Sequence, residues 1–334
     1  MRVSSSQVYR QVTDSLMRNL AEIMRLNTQV SSGRKINKPS DDAAGTARAL
    51  DYKVAIDAGE QYGKNISDAS NAIGFAENTL GSVFSALVRT KELALLGANG
   101  TQTAASRDAI SKEVGQLKEH LLSLANSRFG NGYVFSGFKT DVAAFDASFA
   151  YQGDAGTINV MVDRNVMIPR NVTGSEAFGY APPAEAVVQL DPGHLAHYIP
   201  GAGTTVIVEI RAADDTTVLD SFRFDNAMQV TDLLAQALAS NDTTRVSALM
   251  KPLDDAMGHV GDVRADLGAR LNRLDDQGKR LEDTKFATQT ALSGVEDVDI
   301  ASAVSGIAKA NTALQALQAS SAKILSQSML DFLR

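Results

Sequence analysis

The 334-residue chain contains no cysteine, which excludes disulfides, thiolate metal sites and a cysteine nucleophile together. It also lacks a basic excess. A net charge of -7 argues against nucleic acid as a partner, because neutralising phosphates needs a basic stripe. No apolar run approaches the roughly 18–20 residues that span a bilayer. The first forty residues carry seven Arg/Lys against two acids, but these cations are spaced singly along a helix and read as a solvated face, so no membrane partner is expected. The opening MRVSSSQVYRQ has no apolar core of the kind a cleavable secretory signal carries. If the protein is exported, it leaves by a route that does not need one. Proline is scarce and unevenly spread: none lies between Pro39 and Pro169, five fall within 169–200, and none follows Pro252. Twelve of the 19 Phe and Tyr residues lie between 129 and 224. Long helices avoid proline and strands favour aromatics, so the plan reads helical, then β-rich, then helical.

Apolar spacing agrees with that plan. Leu16, Leu20, Ile23 and Val30 keep helical spacing, with Asn27 in the skipped slot. Ile66, Ala69, Ile73, Ala76, Leu80, Val83 and Leu87 alternate by three and four, and Ile110, Val114, Leu117, Leu121 and Leu124 follow suit. Leu267, Leu271, Leu274 and Leu281 make a fourth seam. Ile300, Val304, Ile307, Leu314, Leu317 and Ile324, with Leu325 beside it, make a fifth, interrupted by Asn311. Such repeats call for long helices packed nearly parallel. TINVMVDRNVMI (157–168) instead alternates, and VIVEIRAADDTTVLDSFRF (206–224) reads as two strands about a turn. The expected fold class is mainly α with a β-rich insert: a long coiled-coil-like bundle built from both chain ends, plus a central α+β or all-β outer domain. Its expected parts are terminal coiled-coil helices at 1–40 and 297–334, a helical body at 41–140 and 251–296, and an outer domain at 141–250.

The stretch SSGRKINKPSDDAAG (31–45) reads as a helix stop and a helix start back to back. Gly33 suits the left-handed position after a helix, and Pro39 biases Lys38 away from helical geometry. Ser40 is the expected N-cap, with Asp41 and Asp42 in the first turn beside the positive helix end. The terminal helix before this joint is marginal on its own and needs neighbours. The seam from Ile300 onward is the obvious one, and further copies of the chain would cover what remains.

No catalytic, cofactor or metal site emerges. His194 and His197 stand three apart in HLAHY, but flanking DPG and IPG suggest a loop, and no carboxylate pair nearby completes a metal set. GAGTT (201–205) precedes a strand rather than a helix, which a phosphate cradle would require. The acidic pairs Asp254/Asp255, Asp275/Asp276 and Asp297/Asp299 read as solvated helix faces and helix starts. Asn27 and Asn311, as amides on apolar seams, are candidates for setting the register of the terminal coil.

Four segments, in order, carry a family resemblance. LNTQVSSGRKINKPSDDAAGTARAL (26–50), VRTKELALLGANGTQT (88–103), RADLGARLNRLDDQ (264–277) and GVEDVDIASAV (294–304) resemble the bacterial flagellins and their hook-associated relatives. Within that superfamily FGNGYVFSGFKTDVAAF (129–145), the opening MRVSSSQVYRQ and the closing SQSMLDFLR are similar to the hook–filament junction branch. The resemblance implies an extracellular axial component of the flagellum, exported unfolded through the flagellar type III apparatus with the help of an export chaperone. It implies a ring of copies placed between another hook-associated junction protein and the first flagellin subunits. Its terminal helices would form an inner tube, its longer helices a surrounding layer, and its β domain would face outward. Two other readings stay open: the filament flagellin itself, and a ligand-binding module carried on the β insert.

Overall fold

The protein is described by a computed structural model covering residues 5–180, 182 and 184–332. The elements run α1 (Ser5–Ser32), α2 (Ala43–Ala98), α3 (Ala104–Ala125), β1 (Arg128–Phe129), β2 (Gly132–Tyr133), β3 (Asn159–Asp163), β4 (Val166–Pro169) and α4 (Gly174–Phe178). They continue with β5 (Ala186–Asp191), β6 (His194–Pro200), β7 (Val206–Ala212), β8 (Val218–Phe224), α5 (Ala227–Ala239), α6 (Thr243–Ala248), α7 (Met250–Glu296) and α8 (Ile300–Phe332). Two compact units result, one of residues 1–61 and 281–334, the other of 62–280. The expected class is what is found: mainly α, with an antiparallel sheet in the middle of the chain.

In the central unit, apolar periodicity becomes burial. All seven seam residues of α2 from Ile66 to Leu87 are buried, as are Val114 and Leu121 of α3 and Leu267 and Leu274 of α7. The four-stranded sheet is an antiparallel meander in the order β5-β6-β7-β8. One face turns Ala196, Tyr198, Val208, Ile210 and Phe222 inward, and α5 and α6 pack against the sheet. The Tyr198 hydroxyl donates to the Ala248 carbonyl at 2.8 Å, and burial pushes its pKa up. Pro252 sits in the first turn of α7, where its missing N–H costs nothing.

Two local expectations change. TINVMVDRNVMI folds as a hairpin, because Asn165 adopts a left-handed φ of 65° and reverses the chain between β3 and β4. HLAHY is strand β6 rather than a loop, fully laddered between β5 and β7. His194 and His197 therefore point to opposite faces. His197 is buried, with Glu185 at 2.7 Å from Nδ1 and Asp215 at 2.6 Å from Nε2, carboxylates that local sequence did not reveal. They flank the ring on opposite sides, and among the described residues no cluster of three His, Cys, Asp or Glu side chains could hold a metal.

Arg107 closes the C-terminal end of α2. Its guanidinium is buried and donates to the Gly97 and Asn99 carbonyls at 2.7 and 2.9 Å and to Asn241 Oδ1 at 2.6 Å. A cation is favoured beside the negative end of a helix. Arg107→Met should keep the volume but remove charge-assisted bonds to one buried acceptor, the Gly97 carbonyl, and to two part-buried ones, at a cost of about 1.5–3 kcal/mol. For a unit of this size that corresponds to a fall in Tm of about 5–10 °C, measurable by calorimetry. An unchanged Tm would mean that water serves these acceptors equally well.

Candidate assembly interface and inter-helix joint

The joint after α1 is a hydrogen-bonded structure of its own. Gly33 adopts φ 71°, the left-handed stop its sequence position suggests, and the Ser32 hydroxyl accepts from the Arg34 N–H. Gln29, buried in the last turn of α1, donates its amide to the Lys35 carbonyl at 2.6 Å. The strand-like stretch 33–35 then pairs antiparallel with 296–298: Lys35 N–H donates to the Glu296 carbonyl at 2.7 Å and Val298 N–H to the Gly33 carbonyl at 3.1 Å. The crossing after α1 and the crossing before α8 are thus one element, stitched across 260 residues of chain.

Glu296 is the pin. It is buried at the last position of α7, and its carboxylate meets Arg34 Nε at 3.1 Å and Lys53 Nζ at 2.8 Å. An acid at a helix C-terminus opposes the dipole, so it needs cations from elsewhere. That opposition is the signal in the sequence that could have singled out Glu296. Lys53 and Gln29 gave no comparable sign.

The helix start differs from the expected one. Ser40 does not cap α2. The Asp42 carboxylate accepts from the Gly45 N–H at 2.8 Å, so Asp42 is the N-cap and α2 begins at Ala43. Asp41 lies before the helix and closes the loop by accepting the N–H groups of Asn37 and Lys38 at 3.0 and 2.9 Å. The longer Asp side chains at 41 and 42 reach amides in both directions, which leaves Ser40 and Pro39 as the bend between them.

The terminal helices α1 and α8 pack along each other. Leu26 is buried against Gly306, where an added Cβ would come 3.2 Å from Leu26 Cδ1. Of the seam residues named from sequence, Leu16, Ile23, Val30, Ile307, Leu314 and Leu317 are half-buried. Leu20, Ile300 and Val304 are exposed, as are Asn27 and Asn311. The structure brings Ala303 into the buried line on α8 in place of Val304. Met17, Leu20 and Met24 form a second apolar line on α1 that stands exposed among the described residues, at 64%, 40% and 68% exposure. Ile324 and Leu325 fall on α8, with side chains outside the described ones.

In the central unit, the block FGNGYVFSGFKTDVAAF is a locked loop. Phe135 is fully buried, edge-on to Phe178. Its carbonyl accepts from the Tyr151 hydroxyl and from the Gly174 N–H. The Asp154 carboxylate accepts from the N–H groups of Phe138 and Gly156 at 2.7 and 2.9 Å, pulling the S-G-F turn onto 154–156.

Residues 3–140 match the model of the bacterial flagellin N-terminal helical region, and residues 250–333 that of the bacterial flagellin C-terminal helical region. The chain belongs to the bacterial flagellin family. Flagellar hook-associated protein 3 of Salmonella typhimurium is 26% identical over 318 residues, spanning 95% of this chain and 94% of that protein. The protein of the same name from Escherichia coli K12 is 27% identical over the same length and shares. Among solved structures, flagellar hook-associated protein-3 from Legionella pneumophila superposes with a TM-score of 0.58 at 19% identity, over 73% of this chain and 98% of that one. That likeness is one of fold.

For this flagellin-family chain the two family regions bracket the sheet domain, and the joint lies inside the N-terminal region with its partner Glu296 inside the C-terminal one. The loop-closing aspartates have a pH signature. Backbone N–H groups of Lys38 and Asn37 hold the Asp41 carboxyl below the usual carboxylate range, and those of Phe138 and Gly156 do the same for Asp154. A carboxyl depressed on folding stabilises fully above its unfolded pKa, and the contribution is lost as pH falls through the folded value. Carboxyl-carbon NMR titration should therefore show both aspartates titrating below the ordinary range, and acid should release both loops only under more acidic conditions. Midpoints within the ordinary range would contradict the geometry.

Proposed function

We propose that this flagellar component is the axial subunit that joins the hook side to the filament, with no catalytic step of its own. The observation that carries the reading is the apolar line Met17–Leu20–Met24 on α1, which is exposed among the described residues. Side chains of this size are worth about 1.5–3 kcal/mol each when buried, enough to drive association when they act together. The full-length likeness to proteins named flagellar hook-associated protein 3 supports the position at the hook. Its partners in this reading are copies of itself in a ring, a second hook-associated junction protein, flagellin, an export chaperone and the flagellar type III export apparatus. The protein is extracellular, and Leu16, Leu20, Ile23, Val30, Ile300, Val304, Ile307, Leu314, Leu317, Ile324 and Leu325 serve the assembly. The joint of Gly33, Pro39, Ser40, Asp41 and Asp42 lets one subunit supply a terminal helix pair and a separate body.

Electron microscopy of cells lacking the gene tests this. Bare hooks and unpolymerised flagellin shed into the medium are expected, with filaments restored by the intact gene. Attached filaments in the deletion strain would end the proposal. The filament-flagellin reading shares both family regions. It requires purified chain to polymerise alone on filament seeds, whereas a junction subunit stays largely monomeric until its axial partners are present.

Asn27 and Asn311 are exposed in the single chain, so any register role is exercised between copies. Replacing both by Leu should raise the stability of the assembled form while admitting misaligned species, seen as a broadened mass distribution in light scattering. Assembly that is unchanged in both respects removes the role.

A further inference from the structure

Beside the joint lies a cleft of about 240 Å³ lined by Arg34, Lys38 and Lys53 with the single carboxylate of Glu296, and by the apolar side chains of Ile36 and Leu50. Three cations face one acid there. Leu50 and, one turn on, Val54 are 60% and 61% exposed on the same face of α2. The first turns of α8 present the complement. Ile300 and Val304 are also one turn apart on one face, at 57% and 51% exposure, and they follow the exposed acids Asp297 and Asp299. An apolar pair beside positive charge and an apolar pair beside negative charge thus occur on one chain, each left open by it.

We infer that in the assembly these two surfaces meet between copies: the α2 face at Leu50 and Val54 of one chain receives the α8 face at Ile300 and Val304 of the next. The proposal rests on the assembly reading above and adds to it a specific pair of faces. Two open apolar faces of the same chain, with unlike charges at their rims, form a heterologous contact that extends or closes into a ring. Opposite rim charges set the register and speed encounter, while the apolar pairs supply the burial. A like-with-like pairing would set Arg34, Lys38 and Lys53 of one copy against those of another, or acids against acids, and is disfavoured.

The absence of cysteine makes the test clean. Two chains, one carrying Val54→Cys and the other Val304→Cys, are co-expressed in a strain lacking the native gene. Assembled material is oxidised, and 54–304 linked peptides are quantified by mass spectrometry. Valine and cysteine are close in size, so folding is kept. A second set uses Leu50→Cys with Ile300→Cys. The control set uses Ala55→Cys with Ser305→Cys, both exposed but rotated by about 100° around their helices. A disulfide needs Cα atoms within roughly 4.4–6.8 Å, so the stripe pairs should link at least tenfold more than the control, and only in assembled material. If filaments stay attached and neither stripe pair links, or the control links equally, the facing is wrong and the assembly role stands. If the cysteine-free chain itself fails to restore attached filaments, the assembly role falls and takes this pairing with it.

Discussion

Gly137→Ala should unfold the block FGNGYVFSGFKTDVAAF (129–145). Gly137 is buried at φ 70°, and a Cβ there would overlap both the carboxylate and the backbone carbonyl of Asp154. The left-handed backbone alone costs an L-residue about 1–2 kcal/mol. Asp154 cannot swing aside to make room, because its carboxylate holds Phe138 and Gly156, its N–H donates to Ser136, and its carbonyl accepts from Tyr151. Displacing it would loosen Phe135 and the aromatic cluster with Phe145 and Phe178. Overpacking and strain together should cost about 3–5 kcal/mol. For this unit that is a fall in Tm of about 10 °C, with near-UV circular dichroism reporting the loss of aromatic packing. Gly115 offers the control: no atom lies within 4 Å of a Cβ built there, so Gly115→Ala should be neutral or slightly stabilising. Equal behaviour of the two variants would remove the steric account of the S-G-F turn.

The second large effect is expected at Glu296. Glu296→Ala deletes the acceptor of Arg34 and Lys53. Two effects oppose each other. Removing an acid from a helix C-terminus relieves about 0.3–1 kcal/mol of dipole repulsion. Losing hydrogen bonds to a charged, buried carboxylate costs about 1.5–3 kcal/mol. The loss wins. The paired stretches 33–35 and 296–298 should then open more often, and protection of the Lys35 and Val298 amides against hydrogen exchange should fall about tenfold or more. Glu296→Gln keeps an acceptor and should show about half the effect in free energy. Protection that does not change would mean the backbone pairing holds the joint without its pin. On the assembly reading proposed above, the same alanine variant should also lower the yield of attached filaments in cells.

Legibility in the sequence followed the range of the forces involved. The seven-residue seam of α2 could be read residue by residue, because helical periodicity is a local property and every position in it is buried. The helix stop at Gly33 was equally local. The cap was missed by two residues, because Ser40, Asp41 and Asp42 are all chemically fit to cap and only the path of the loop selects among them. The hairpin within TINVMVDRNVMI was missed because a continuing strand and a two-residue reversal share the same alternation. His197 drew its two carboxylates from the segment before β5 and from the β7–β8 turn, 12 and 18 positions away, beyond any local pattern.

Composition and spacing by themselves determined the helical–β–helical order, the seams and the place of the joint, since proline exclusion, aromatic preference and apolar period act on neighbours a few residues apart. The tertiary structure alone decided that Glu296 pins the joint and that α1 carries a second, exposed line. It also decided that Ile300 and Val304 turn outward. These depend on which helix lies against which. A stripe of leucines specifies that something must cover it, while the identity of the cover is settled only when the distant partner arrives.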